Sequence, residues 1–173
     1  MRYKLDPEIE ERFEMVGILC QQKDFKLAFV FNDLLKFSFV RIKSFSQFID
    51  AEKPNIEFSL YYYFDEMNRI GYYLISNRSQ DNILVDRLKH FDYFLIVKTE
   101  NVQFKLADIL KKLKKAPEVL GIFNINMTTF PNIKYFFQDI DIHVTNLNKE
   151  DKIQEDEVRK NIQKNKITWG TRR

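Results

Sequence analysis

Apolar and polar positions along the chain fall into two patterns, which predict strands and helices. Short apolar or alternating runs are typical of strands, and longer blocks with apolar residues three and four positions apart are typical of helices. On this basis we predict two helices, 25–36 and 102–115, the first with Asp24 as its N-cap. The predicted strands are 13–20, 37–43, 57–64, 70–76, 91–98 and 119–127.

The order of these elements predicts an α+β fold. Strands 57–64 and 70–76 flank a polar turn and should form a hairpin between two strand–helix–strand units. This order favours a mixed or antiparallel sheet of about six strands, with the two helices packed on one face. Segments 44–56, 77–90 and 128–148 have no regular pattern, and we expect them to be irregular.

The first predicted helix is apolar on two sides. One stripe contains Leu27 and Phe31, and the other contains Phe25 and Phe29. A helix of this kind is either buried between two layers or pairs with another surface. We expect burial between the sheet and the N-terminal segment, with a homodimer contact as the alternative.

Composition and compartment signals describe a soluble protein. Of the 173 residues 45% are hydrophobic and 31% are charged, which is usual for a globular domain. The N-terminus has no apolar signal core, and no apolar run approaches the length of a membrane span. The single cysteine, Cys20, cannot form an internal disulfide and fits a reducing compartment. We therefore expect a cytoplasmic protein.

Charge is distributed unevenly, and this predicts a body and an arm. Residues 149–173 hold 8 basic and 5 acidic residues, which leaves 20 of each sign for residues 1–148. We predict a single domain over 1–148 and a charged arm over 149–173, whose first part, 149–166, is a frayed helix. The residues predicted to contact a partner are Arg159, Lys160, Lys164, Lys166, Trp169, Arg172 and Arg173.

The lone tryptophan within basic residues suggests how the arm would bind. Trp169 can fill a pocket of a partner, while neighbouring arginines bind carboxylates or phosphates. Folding back onto the domain and solvation without a role are the alternatives.

A second surface is predicted on the aromatic hairpin and the second helix. Tyr61 and Tyr63 share one side of their strand, and both sheet faces carry aromatic residues. We expect core packing and cross-strand aromatic pairs here. An uncovered face would instead stack RNA bases or contact a protein. The residues of this alternative surface are Lys111, Lys112, Lys114, Lys115, Tyr61, Tyr63 and Tyr72.

Candidate catalytic and metal-binding residues are sparse. Cys20, His90 and His143 are far apart in sequence, so we predict no metal site and no cofactor. Cys20 ends an apolar strand and is expected to be a small buried side chain. Asp92 interrupts an apolar strand and is expected either to face water or to bond a nearby loop backbone, in a structural role. Nucleophile elbows, Walker loops and Rossmann fingerprints do not occur, and we predict that the chain is not an enzyme.

From residue 13 to about residue 137 the order of segments resembles the IPExxVDY family, small bacterial proteins of unknown function. Similar segments are 13–18, 23–32, 91–97 and 110–125. The motif that names the family falls at 86–93, which reads Asp-Arg-Leu-Lys-His-Phe-Asp-Tyr. Its Asp-Tyr end is kept, Phe91 stands for Val, and the Ile-Pro-Glu start is absent. The resemblance implies no activity.

Together these observations favour a non-enzymatic cytoplasmic adaptor that docks on a partner protein or assembly through its basic arm. The first alternative is an RNA- or ribosome-associated protein that uses the same arm. The second alternative is an enzyme with an unrecognised site.

Overall fold

The computed structural model describes residues 11–47, 55–130 and 132–170, with side chains described as far as residue 154. Its centre is a six-stranded sheet in which every neighbouring pair is antiparallel. The order across the sheet is β2-β3-β4-β7-β1-β8. These strands are β1 (Arg12–Leu19), β2 (Val40–Gln47), β3 (Ile56–Asp65), β4 (Ile70–Ser76), β7 (Tyr93–Thr99) and β8 (Gly121–Ile125). A short hairpin of β5 (Arg78–Ser79) and β6 (Asn82–Ile83) forms a second, two-stranded sheet.

Three α-helices complete the described structure, and the predicted α+β class is confirmed. They are α1 (Asp24–Leu35), α2 (Leu106–Leu113) and α3 (Ile133–Gly170), with 3₁₀ turns at Asp86–Leu88 and Met127–Thr129. In the described residues no helix is both long and apolar enough to cross a membrane.

One face of the sheet forms the main core with α1 and α2. Alternate residues of the strands point toward the helices, as the two-residue period of a strand requires. Burial of these large apolar side chains, each contributing about 1.5–3 kcal/mol, holds the helices on the sheet. The buried cluster includes Val16, Ile18, Leu27, Phe31, Tyr72, Leu74, Leu95, Val97, Leu106, Ile109 and Leu113.

The opposite face of the sheet is also apolar, and Phe91 packs on it. Phe91 lies over Gly17, where a Cβ atom would come within 2.7 Å of the ring. It also meets Phe94 edge-on with ring centroids 6.1 Å apart. Only glycine therefore fits at position 17 without displacing Phe91.

Segment 77–90, expected to be irregular, contains the β5–β6 hairpin and a 3₁₀ turn, and Asn77 connects it to residues 91 and 92. The Asn77 side chain donates to the carbonyl oxygens of Leu88 (3.0 Å) and Phe91 (2.9 Å) and accepts from the Val85 N–H (2.9 Å). Its backbone bonds Asp92 and Leu84. A fully buried amide thus satisfies backbone groups that the short β5–β6 pairing leaves without a partner.

Several predicted element boundaries are corrected by local hydrogen bonds. Lys23, and not Asp24, is the N-cap of α1; the Asp24 carboxylate accepts from the Phe25 N–H inside the first turn. Helix α2 starts four residues later than predicted, because the Asn101 side chain accepts from the Gln103 N–H in a turn. Strand β2 continues to Gln47, through residues predicted to be a loop.

The expectation of irregular structure over 128–148 is wrong from residue 133 onward. Helix α3 begins there and continues through residue 148, so the predicted boundary between domain and arm falls inside a helix. Ile133, Phe137, Ile140 and Val144 are spaced as one helical face, a period hidden by the polar residues between them. The chain instead forms two compact units, Met1–Lys134 and Tyr135–Arg173.

Candidate functional site

Helix α1 exposes an aromatic face. Phe25 and Phe29, four residues apart, are 54% and 74% exposed, whereas Leu27 and Phe31 are buried. The second stripe is thus exposed at Phe25 and Phe29; residues 1–10 of the N-terminal segment expected to cover it lie outside the described residues. We call the depression of about 650 Å³ around it the α1 surface; it is lined by Gln22, Phe25, Lys26, Phe29, Val30 and Glu118.

Glu118 gives this apolar surface a chemical preference. Its Oε2 atom is buried, and no described residue donates a hydrogen bond to it. A buried carboxylate oxygen without a donor is unfavourable, and a donor from outside would remove that cost. The α1 surface thus combines two exposed aromatic rings with an acceptor that lacks a donor.

The structure describes the backbone of the basic arm as far as residue 170 and its side chains as far as residue 154. The backbone of α3 is helical to Gly170, so helix extends beyond the predicted 149–166. The side chains of Arg159, Lys160, Lys164, Lys166 and Trp169 lie outside the described residues, as do Arg172 and Arg173 entirely. Their role in binding stays a prediction.

The aromatic hairpin does not offer an open stacking platform at the predicted positions. Tyr61 and Tyr72 are buried, and Phe37, which follows α1, packs on Tyr63 and Tyr72 with centroids 4.7 and 4.4 Å apart. Burial raises the pKa of Tyr72 above its ordinary value, as expected for a phenol removed from water. These rings are core and cross-strand pairs.

Unlike the tyrosines, the four lysines at and just beyond the C-terminal end of α2 are exposed to solvent. They are accessible to a charged partner. They are Lys111, Lys112, Lys114 and Lys115.

Asp92 and Cys20 come together for a structural reason. Asp92 Oδ2 accepts from the backbone N–H of Cys20 (2.9 Å), and Oδ1 accepts from Arg78 Nε (3.0 Å). Of the two alternatives for Asp92, the structure shows the bond to loop backbone. Cys20 is buried, as expected, and burial raises the pKa of its thiol, which opposes the thiolate form that a nucleophile needs.

Among the described residues, His90 does not lie in a cluster of catalytic or metal-binding side chains. The His90 ring packs on Phe91, with centroids 4.0 Å apart. Among the described residues no three His, Cys, Asp or Glu side chains cluster as a metal site would require. These contacts identify no catalytic side chain among the described residues.

A second concave site was not predicted from the sequence. It lies beside the start of α1 and is also lined by residues of β2, by the first half of β3 and by the last residue of β4. We call it the polar cleft. It has a volume of about 770 Å³. Its lining residues are Lys23, Asp24, Arg41, Ser44, Asn55, Ile56, Glu57, Ser59, Ser76, Arg78, Ser79, Gln80, Asn82 and Tyr93.

A bulge in β2 shapes one wall of the polar cleft. Ile42 pairs with Leu60 and Phe45 pairs with Phe58, so two β2 residues, Lys43 and Ser44, stand opposite Ser59. Such an extra residue re-aims side chains and is frequent beside functional sites. Both serines line the cleft as a result. No residue type in Lys43-Ser44 identifies a bulge, so the sequence held no signal for it.

Two arginines of the cleft are held by carboxylates. Arg41 Nη1 lies 2.6 Å from Asp24 Oδ2, and its guanidinium also contacts Tyr61, a hydrogen bond that raises the pKa of Arg41. Arg78 is paired with Asp92 and donates from Nη2 to the Lys89 carbonyl (2.6 Å). Both guanidinium groups are thereby oriented before a ligand arrives.

Comparison with known proteins adds no assignment. No protein-family model matches the chain, and no curated protein matches it. The two surfaces are therefore interpreted from their own geometry.

Proposed function

We propose that this chain is a non-enzymatic cytoplasmic interaction protein that docks on a partner protein through the α1 surface. The observation that carries the proposal is the 74% exposure of Phe29 beside the 54% exposure of Phe25. Aromatic side chains of this kind are typical anchors of protein interfaces, where burying them releases water from a large apolar area.

Glu118 narrows the chemistry of that partner. An apolar segment would cover Phe25 and Phe29, and a Lys, an Arg or a backbone N–H beside it would donate to Glu118 Oε2. The partner is therefore a protein segment with apolar residues next to a hydrogen-bond donor, a cation giving the stronger bond. The basic end of the chain, with Trp169, is proposed as a second contact.

Photo-crosslinking from the α1 surface tests the docking site. The full chain would carry p-benzoylphenylalanine at position 29 or, as control, at position 67, because Met67 is 94% exposed at the hairpin turn. We expect a protein that crosslinks from position 29 and not from position 67. That protein, once purified, should bind Phe25→Ser and Glu118→Gln variants at least tenfold more weakly than the parent chain.

Three outcomes would contradict this proposal. They are equal crosslinking from positions 29 and 67, unchanged affinity of both variants, and crosslinking only to a second copy of the chain. The last outcome would make the α1 surface a homodimer contact. The arm is tested separately in the same assay by Trp169→Ala and by Gln at Arg159, Lys160, Lys164 and Lys166.

RNA binding is the second candidate, favoured by the four exposed lysines at and just beyond the C-terminal end of α2. Binding through them would weaken steeply with salt, because each phosphate contact releases a counterion. Changing Lys111, Lys112, Lys114 and Lys115 to Gln should then reduce that salt dependence. Retention of every bound partner after nuclease treatment would exclude this candidate.

A further inference from the structure

The polar cleft displays hydrogen-bonding groups that the fold does not use. Within the described residues, the side chains of Lys23, Ser44, Ser59, Glu57 and Gln80 make no hydrogen bond or ion pair. All five are exposed or half-buried, so water solvates them in the free protein. A concave surface that gathers five such groups is suited to a polar ligand that replaces this water.

Hydrogen-bond donors outnumber open carboxylates in the cleft. Its lining side chains include three cations, Lys23, Arg41 and Arg78, and two carboxylates, Asp24 and Glu57; with Asp92, the partner of Arg78, the formal charges sum to zero. Asp24 is already used by Arg41 and by the Phe25 N–H, which leaves Glu57 as the carboxylate open to a ligand. Asp92 balances Arg78 but does not line the cleft.

Arg41 and Arg78 each have N–H donors that the described contacts do not use. A guanidinium has five N–H donors. The described contacts of Arg41 involve Asp24 and Tyr61, and those of Arg78 involve Asp92 and the Lys89 carbonyl. Each arginine is thus fixed in place by some of its donors and retains others for an acceptor of planar or tetrahedral shape.

We propose that the polar cleft binds a small phosphate monoester. Lys23 and the remaining N–H groups of Arg41 and Arg78 would donate to the phosphate oxygens, as would the hydroxyls of Ser44, Ser59 and Ser79. A volume of about 770 Å³ exceeds that of a phosphate group, so the ester's organic part also fits, against Asn55, Asn82, Gln80 and Glu57. These polar groups favour a hydroxylated organic part.

A neutral polyol of the same size is the competing ligand chemistry. Such a ligand would need one acceptor for each of its hydroxyl donors. Being neutral, it would form no ion pair with the two oriented guanidinium groups. The excess of donors over open carboxylates therefore favours the anion.

Amide NMR of the full chain, titrated with glycerol 2-phosphate, inorganic phosphate or glycerol at constant ionic strength, tests this site. We expect saturable shifts at cleft residues such as Ser44, Ser59 and Gln80 with both phosphates, stronger binding of the ester, and no shifts with glycerol. Arg41→Gln and Lys23→Gln should each raise the Kd at least tenfold. The Lys23 side chain has no partner within the described residues, and its backbone carbonyl still accepts from Lys26 and Leu27 in the variant, so we expect the fold to be retained.

Lys112→Gln is the matched control, since it removes the same charge from a residue outside the cleft. An equal loss of affinity in the Lys112 variant would show that phosphate binds to surface charge generally and would overturn the proposal. Absence of saturable shifts at cleft residues, or equal binding of glycerol, would do the same.

Discussion

At the scale of the residue, Asn77 joins three parts of segment 77–92 that are not adjacent in a strand or helix. It is completely buried, and its side chain bonds the backbone of Val85, Leu88 and Phe91. The positions of Phe91, which packs on Gly17, and of Asp92, which binds Cys20 and Arg78, follow from this arrangement. One amide thus supports a wall of the polar cleft.

Replacing Asn77 with alanine should destabilise the protein by about 3 kcal/mol, because three buried backbone groups would lose a partner at about 1–3 kcal/mol each, partly relieved by water. Urea unfolding followed by circular dichroism measures the change. Asn124→Ala, an exposed position on β8, should change the free energy of unfolding by less than about 0.5 kcal/mol. A similar small change for Asn77→Ala would show that the segment folds without this amide.

At the scale of the element, α1 ends in a backbone conformation that its sequence does not favour. Lys36, the C-cap residue, has φ 59° and ψ 39°, the left-handed region that glycine adopts at no steric cost. Its ion pair with Asp33 is highly exposed and contributes little. The helix therefore ends because the following residues are held elsewhere: the Asn32 side chain bonds both the N–H and the carbonyl of Phe39.

Lys36→Gly should accordingly stabilise the protein by about 0.5 kcal/mol, since removing the Cβ relieves strain that exceeds the added freedom of the unfolded chain. The same change at Lys26, exposed within α1, should destabilise it by about 0.5–1 kcal/mol. Thermal or urea unfolding of the two variants gives the comparison. Destabilisation by both would mean that Lys36 contributes contacts that outweigh its backbone strain.

Sequence patterns predicted elements well where the local period was strong. Strand β4 has the predicted bounds, and β1 and α1 are displaced by one residue. The pattern also identified two apolar stripes on α1. An apolar stripe does not show which other residues cover it, so the exposure of Phe25 and Phe29 could be seen only in the structure. The polar cleft and the open acceptor of Glu118 depend on contacts between distant residues, which no spacing encodes.

At the scale of the whole molecule, pairing in the sheet is unequal across its width. Strand β7 is hydrogen-bonded on both sides, to β4 and β1, and six of its seven residues are buried. Strand β2 stands at the edge of the sheet order, paired with β3, and Phe45 is its one buried residue. The α1 surface is on a helix, and the cleft includes β2 residues and reaches β7 only at its first residue, Tyr93.

Hydrogen exchange should reveal this inequality as a difference in free energy. Amides of Tyr93–Thr99 should exchange only by global unfolding, with the free energy that urea unfolding gives, because opening them breaks two ladders and exposes the core. Amides of Val40–Gln47 bonded to β3 should exchange by local opening, at least tenfold faster after correction for intrinsic rates. Equal protection of the two strands would mean that the sheet opens as one unit, and that the edge carrying Arg41 and Ser44 is as rigid as the centre.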